Sequence, residues 1–150
     1  MPSPPLLQFA IDDPAAPDLV PLIDQLGRRD GLSQSGHAGN TLLAELTRPG
    51  VTFLTARVDG VPIACGACAA HPGYVELKHM YVLPACRGLG LGKQLLEALE
   101  REIRKNGGDT VRLETSATEG PAIELYERAG YRRCPPFGSL RGVCMEKHLA

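Results

Sequence analysis

Between Val82 and Lys93 the chain reads VLPACRGLGLGK, with Gly88, Gly90 and Gly92 alternating with leucines between Arg87 and Lys93. A strand-like apolar run leads in and a helix-like amphipathic run leads out. Glycine lets the backbone turn sharply and approach a ligand with no Cβ in the way. The first N–H groups of the following helix have no partner and lie at its positive dipole end. Bare amides at such a junction suit phosphate or pyrophosphate, and Arg87 and Lys93 add charge at the edge. Neither common phosphate loop is present. A Gly-x-Gly-x-x-Gly count from Gly88 ends on Lys93, and from Gly90 on Leu95. A Walker loop read back from Gly92-Lys93 meets Arg87 where its first glycine belongs, and Gln94 where it needs Ser or Thr.

Other side chains could do acid–base or thiol work. Glu76 and His79 lie on the apolar run before the glycines, and Tyr126 lies in AIELYERAGY some way after them. Cys65-Gly-Ala-Cys68 is formally a CxxC, but its surroundings, VPIACGACAAH, read as a strand of small residues. Positions three apart on a strand face opposite sides. The two thiols therefore diverge, which suits neither a zinc site nor a redox pair, and no second CxxC follows at ribbon spacing. These cysteines read as small core residues, and no metal is expected.

The elements that must position these groups follow from periodicity and turn residues. LLQFAID suggests an edge strand, broken by Asp12, Asp13, Pro14 and Pro17. Leu19, Leu22, Ile23 and Leu26 fall at helical spacing, with Gly27 or Gly31 as a stop. After the polar stretch SQSGHAGN, residues 41–47 form a short helix stopped by Pro49-Gly50. VTFLTARV meets Asp59-Gly60, a strong hairpin signal. VPIACGACAAH returns, Pro72-Gly73 turns again, and YVELKHMYVL completes an antiparallel meander. Residues 89–106 form the clearest helix, with Leu91, Leu95, Leu99 and Ile103 inside and Glu97, Glu100, Arg101, Arg104 and Lys105 outside. TVRLET is a strand. Residues 121–129 form a helix with Pro121 at its start and Gly130 past its end. YRRC and RGVCMEKHL are closing strands. The order is β-αα-βββ-α-β-α-ββ. It describes one α/β domain over residues 1–150, with a mixed, mostly antiparallel sheet of about seven strands flanked by four helices.

Composition bounds the function. The 150 residues are 43% hydrophobic and 22% charged, with a net charge of -1 and five cysteines. That is globular, with no charge excess to draw nucleic acid or a membrane surface. No apolar run is long enough to span a bilayer. The N-terminus lacks a basic, then apolar, leader, so a cytoplasmic location is expected. An odd cysteine count implies no disulfide framework.

Arg87-x-x-Gly90-x-Gly92, set between an apolar strand with Pro84 and an amphipathic helix, and followed by Leu125-Tyr126-Glu127-Arg128-Ala129-Gly130-Tyr131, resembles the GNAT superfamily of N-acetyltransferases. The likeness is tight over residues 74–133. It implies a GNAT-like fold and acetyl-CoA as co-substrate. The reaction implied is acetyl transfer to a primary amine of a small molecule or peptide, directly in a ternary complex. The amides of Arg87, Gly88, Leu89, Gly90, Leu91, Gly92 and Lys93 would hold the coenzyme pyrophosphate. Along the preceding strand, which splays from its neighbour in this superfamily, the backbone of Met80, Tyr81 and Val82 would line the pantetheine arm, with Met80 N–H near the thioester carbonyl. Ala122 falls within the matching second helix. Tyr126 would be the general acid, its hydroxyl aimed at the coenzyme sulfur, and Tyr131 a core aromatic.

Glu76, eleven residues before Arg87, matches a base glutamate of the histone-acetylating branch. It would share a strand face with Lys78 and Met80. Carboxylates ordinarily titrate well below neutrality, so such a base needs burial or a water relay. His79 would face the other side, packed. Many relatives carry Asn three residues before Ala122, where it contacts pantetheine; this chain has Glu119, which leaves that contact open. The acceptor should lie among the first two helices, SQSGHAGN and PPFGSL, with Ser33, Ser35, His37 and Phe137 as candidate lining. Homodimer pairing through sheet edges or the last strands is open. So is a rival reading, a non-catalytic acyl-CoA-binding module of the same fold.

Overall fold

The computed structural model describes residues 6–29, 42–116, 120–137 and 142–149. Its strands are β1 (Leu7–Ile11), β2 (Val51–Val58), β3 (Val61–His71), β4 (Tyr74–Val82), β5 (Thr110–Thr115), β6 (Arg132–Arg133) and β7 (Val143–His148). The helices are α1 (Val20–Arg29), α2 (residues 42–46), α3 (Leu91–Lys105) and α4 (Gly120–Arg128). The seven strands join in one sheet, in the order β1-β2-β3-β4-β5-β7-β6. Every pairing is antiparallel except β4 with β5.

Strand alternation divides the core in two. On one face Leu19, Leu22, Ile23 and Leu26, with Leu42 and Leu46 of α2, pack on Phe53, Cys65, Ala67 and Tyr81. On the other, Leu91, Leu95, Leu96, Leu99 and Ile103 of α3, with Tyr126 of α4, cover Leu54, Cys68, Leu77, Val111, Leu113 and Met145. Cys65 and Cys68 thus lie in opposite layers, as their spacing on a strand requires.

Two details differ from the pattern read along the chain. Helix α1 runs through Gly27, which is buried, and continues to Arg29. Glu100, expected on the outer face of α3, is 5% exposed. Its carboxylate accepts hydrogen bonds from Tyr131 Oη (2.8 Å) and Lys147 Nζ (3.0 Å). Burying a carboxylate requires such partners. They come from beyond α4 and from β7, far from α3 in sequence, so helical periodicity alone places the residue outside.

Candidate active site

The site begins with an irregularity in β4. Pairing with β3 passes from Ala67↔Lys78 to Cys65↔Tyr81, so His79 and Met80 together stand opposite Gly66. This is a β-bulge, and His79 takes the left-handed conformation that it needs, with φ 58°. A Cβ on Gly66 would lie 2.7 Å from both Met80 Sδ and Leu99 Cδ1, so only glycine leaves room there. The bulge also changes which way the side chains point. Lys78, opposite Ala67, faces the α1/α2 layer, whereas Met80 packs on the α3/α4 core. The face that Glu76, Lys78 and Met80 were expected to share is therefore split, because the extra residue breaks the two-residue period.

Just past that point the sheet opens. β4 pairs with β5 only over Val75–Leu77 against Val111–Leu113, although β4 continues to Val82 and β5 to Thr115. The gap is a cavity of about 300 Å³ whose walls include Arg29, Lys78, His79, Met80, Glu114 and Tyr126. Ala122 also lines it. Here β4 and β5 do not pair with each other, and on the β4 side the Met80 carbonyl accepts from Arg29 and the Val82 carbonyl from Arg87 Nε instead.

The glycine stretch lies beyond the end of β4, after a 3₁₀ turn at Pro84–Cys86. Gly88 (φ 83°) and Gly90 (φ 78°) are left-handed, and Gly90 caps α3. Gln94 N–H donates the first helical bond, to Gly90 O at 3.2 Å. The amides of Leu91, Gly92 and Lys93 therefore precede the ladder, at the positive end of a 15-residue helix. Leu89 is exposed, Leu91, the first residue of α3, is buried in the core, and Gly92 lies close against Leu125 of α4. Arg87 is different. Its N–H donates back to Pro84 O (3.4 Å) and its Nε to Val82 O (2.9 Å), while its guanidinium lies over Tyr81. It ties the loop to the strand end, and its amide is not bare like those that follow.

Tyr126 joins the cavity from α4. It is 7% exposed, its ring packs edge-on to Tyr131 at 5.7 Å, and among the described residues its hydroxyl has no hydrogen-bond partner. Burial pushes that hydroxyl up to about 12, against a smaller lowering from the charge of Arg29. A hydroxyl raised in this way stays protonated through the neutral range. Tyr131 is core, as expected, and is raised by burial and then by Glu100. Tyr81 is also buried, on the α1/α2 face, with its hydroxyl directed at Gln25 Oε1 (3.3 Å), so it can serve a ligand in the cavity only through its backbone.

Glu76 faces neighbours other than the cavity. Its Oε1 lies 3.0 Å from His71 Nε2, and His71 stacks on Tyr74. The carboxylate nearest the bulge is Glu45 of α2. It bonds Lys78 Nζ, and its Oε1 is 3.2 Å from His79 Nε2. Burial would raise Glu45, but the bonds and charges of Lys78 and His79 outweigh it and hold the carboxyl below the usual range.

Arg29, Glu45 and Glu114 were not singled out by sequence, and His79 was read as packed. Arg29 donates to Met80 O and lies over the Tyr81 ring. Gly66, a lone glycine inside a strand, is the available signal for the bulge; the ion pairs have none. Ser33, Ser35, His37 and Glu119 lie outside the described residues. Phe137 is described and sits edge-on to Tyr74 at 5.4 Å, with Arg112 over both rings. No described helix is long and apolar enough to cross a membrane.

Comparison with known proteins bears on this arrangement. The Acetyltransferase (GNAT) family model matches residues 22–131. The chain is 36% identical over 137 residues to the IAA acetyltransferase of Azospirillum brasilense, covering 89% of this chain and 90% of that one. It superposes on a Klebsiella pneumoniae structure assigned as an acyl-CoA N-acyltransferase with a TM-score of 0.78 and 31% identity, over 97% and 99% of the two chains. The PaiA N-acetyltransferase of Thermoplasma acidophilum, solved with coenzyme A, shares the fold at 22% identity and a TM-score of 0.76, over 95% and 99% of the chains.

Proposed function

Since the chain belongs to the GNAT family of acetyltransferases, with acetyl-CoA as the donor, we propose that it moves the acetyl group directly onto a primary amine in a ternary complex. The observation that carries this is the opening between β4 and β5, walled by Tyr126 and continued by the bare amides at the start of α3. The pyrophosphate of the coenzyme rests on the amides of Leu91, Gly92 and Lys93, where dipole and unpaired donors coincide. The pantetheine arm runs along the edge of Met80 to Val82 that β5 does not pair, beside the carbonyls that Arg29 and Arg87 hold, and the thioester reaches the cavity beside Tyr126. Ala122 gives the arm a small neighbour on α4.

Tyr126 lends its proton to the thiolate as the C–S bond breaks, a role that suits a hydroxyl which keeps its proton at every working pH. The acceptor enters from the side of α1 and α2, where Arg29, Lys78 and Glu45 supply charge. Glu76, bonded to His71, can act on the amine only through intervening water. The cytoplasm is the compartment we propose for the reaction.

Calorimetry with acetyl-CoA, followed by a screen of primary amines for thiol release, tests this reading. Binding with release on at least one amine is expected. Binding with no release on any would favour a regulatory acyl-CoA-binding module.

A further inference from the structure

We infer that Arg29 and Arg87 are positioning residues for the coenzyme, which together grip Tyr81 and fix the end of β4 along which the pantetheine arm lies. The inference rests on the coenzyme placement proposed above, and it gives the two side chains a task other than phosphate binding. Three observations carry it.

First, the two edges of the β4 end are held differently. Towards β3 the strand stays in the ladder, with Tyr81 opposite Cys65, Val82 opposite Ala64, and Leu83 N–H donating to Ile63 O at 2.9 Å. Across a trans peptide the N–H and C=O point opposite ways, so the Val82 carbonyl is aimed away from β3. Towards β5 the pairing stops at Leu77 and Leu113, although β5 runs on to Thr115. Carbonyls beyond that point need other donors. Arg29 donates to Met80 O, and Arg87 Nε donates to Val82 O at 2.9 Å. Arg29 also stands in the wall of the gap, with Glu114 and Thr115 of β5.

Second, both guanidiniums lie over one ring, at 5.4 Å for Arg29 and 5.5 Å for Arg87 from the Tyr81 centroid. A planar cation that bonds a carbonyl and rests on an aromatic face gains from both contacts in one orientation. The ring is itself held. It is 8% exposed, and its hydroxyl is directed at Gln25 Oε1. Gln25 and Arg29 are four residues apart on α1, so one face of that helix supplies both contacts.

Third, the two arginines come from opposite sides of the proposed complex. Arg29 ends α1, on the acceptor side, and Arg87 opens the glycine stretch, on the coenzyme side. Both reach back to the same strand end. The grip fixes the edge that carries the arm relative to the amides of α3 and to α1 at once. Such precision matters because a displacement of about 1 Å at a reacting group can cost about 100-fold in rate.

The test compares two ligands by calorimetry on the full chain. One is acetyl-CoA. The other is 3′-phosphoadenosine 5′-diphosphate, which carries the coenzyme's phosphates and no pantetheine arm. In Arg87→Met the affinity for acetyl-CoA should fall about 10-fold, and that for the diphosphate should not change. Arg87→Lys keeps the charge and loses the stacked fork, so it should lose as much acetyl-CoA affinity as Arg87→Met. Arg29→Met should weaken acetyl-CoA alone in the same way. The double variant Arg29→Met/Arg87→Met should lose less than the product of the single losses, because both side chains grip one ring. Parallel loss of both ligands in Arg87→Met, with affinity kept in Arg87→Lys, would make Arg87 a phosphate ligand and overturn the assignment. Unchanged or tighter acetyl-CoA binding in Arg87→Met would overturn it too, as would losses that simply multiply in the double variant. A wild type that binds neither ligand removes the coenzyme placement itself.

Discussion

Replacing Tyr126 by phenylalanine separates chemistry from binding at a single atom. The ring is 7% exposed and keeps its edge contact with Tyr131, and the lost hydroxyl has no partner among the described residues. Folding at neutral pH should therefore be nearly unchanged, within about 0.5 kcal/mol. Catalysis should not be. Loss of a positioned general acid costs about 10²- to 10⁴-fold in kcat, while acetyl-CoA affinity, which we assign to the amides at the start of α3, should stay the same.

The same hydroxyl makes a second, independent forecast. Its ordinary value is 10.0, and burial raises it to about 12 in the folded state. Its contribution to stability is complete below pH 10. It fades as pH rises from there through 12, because the unfolded chain releases the proton first. Two units correspond to about 3 kcal/mol. By pH 12, where the folded hydroxyl is half ionised, wild type should thus have lost about 2 kcal/mol more stability than Tyr126→Phe, with the remainder lost above it. Tyr131 is raised in both proteins by burial and by Glu100, and the further raise from the Tyr126 charge is present only in wild type, where it acts in the same direction as the expected difference. Thiol-release kinetics and calorimetry read the first effect, and urea melts near pH 8 and near pH 12 read the second. A variant with full kcat would remove Tyr126 as the acid. Equal alkaline losses in the two proteins would mean that the hydroxyl is not desolvated as the structure describes.

Gly66→Ala should cost about 1–3 kcal/mol in urea melts, since its Cβ would press on Met80 Sδ and Leu99 Cδ1 at 2.7 Å; because Met80 lines the cavity, acetyl-CoA affinity should fall as well. Gly90→Glu, at φ 78°, places a carboxylate where pyrophosphate is expected and should abolish calorimetric binding with only about 1–2 kcal/mol lost in stability. Unfolding, rather than selective loss of binding, would contradict that expectation. Lys147→Met leaves the buried Glu100 carboxylate with Tyr131 alone and should cost about 3 kcal/mol in the same melts, with part returned by adding Glu100→Gln.

The strands and helices, and the place of the glycine loop between them, were legible along the chain because they depend on local properties. Alternation set β2, β3 and β4, the Asp59-Gly60 and Pro72-Gly73 turns set their antiparallel order, and the i, i+4 leucines set α3. The bare amides beyond Gly90 follow from helix geometry alone, and Tyr126 came from the resemblance that the structure then placed on a cavity wall. Tertiary structure decided what depends on a second element. The bulge at His79 exists because Gly66 on β3 leaves one residue where β4 brings two, and it moves Met80 off the face of Glu76 and Lys78. Glu100 is buried because Tyr131 and Lys147 reach it from distant positions. Glu76 turns to His71, and His79 to Glu45, through contacts that spacing does not encode. A periodic pattern says which side of its own element a residue faces. Which carboxylate meets which cation or imidazole is fixed only when packing brings separate elements within hydrogen-bond distance.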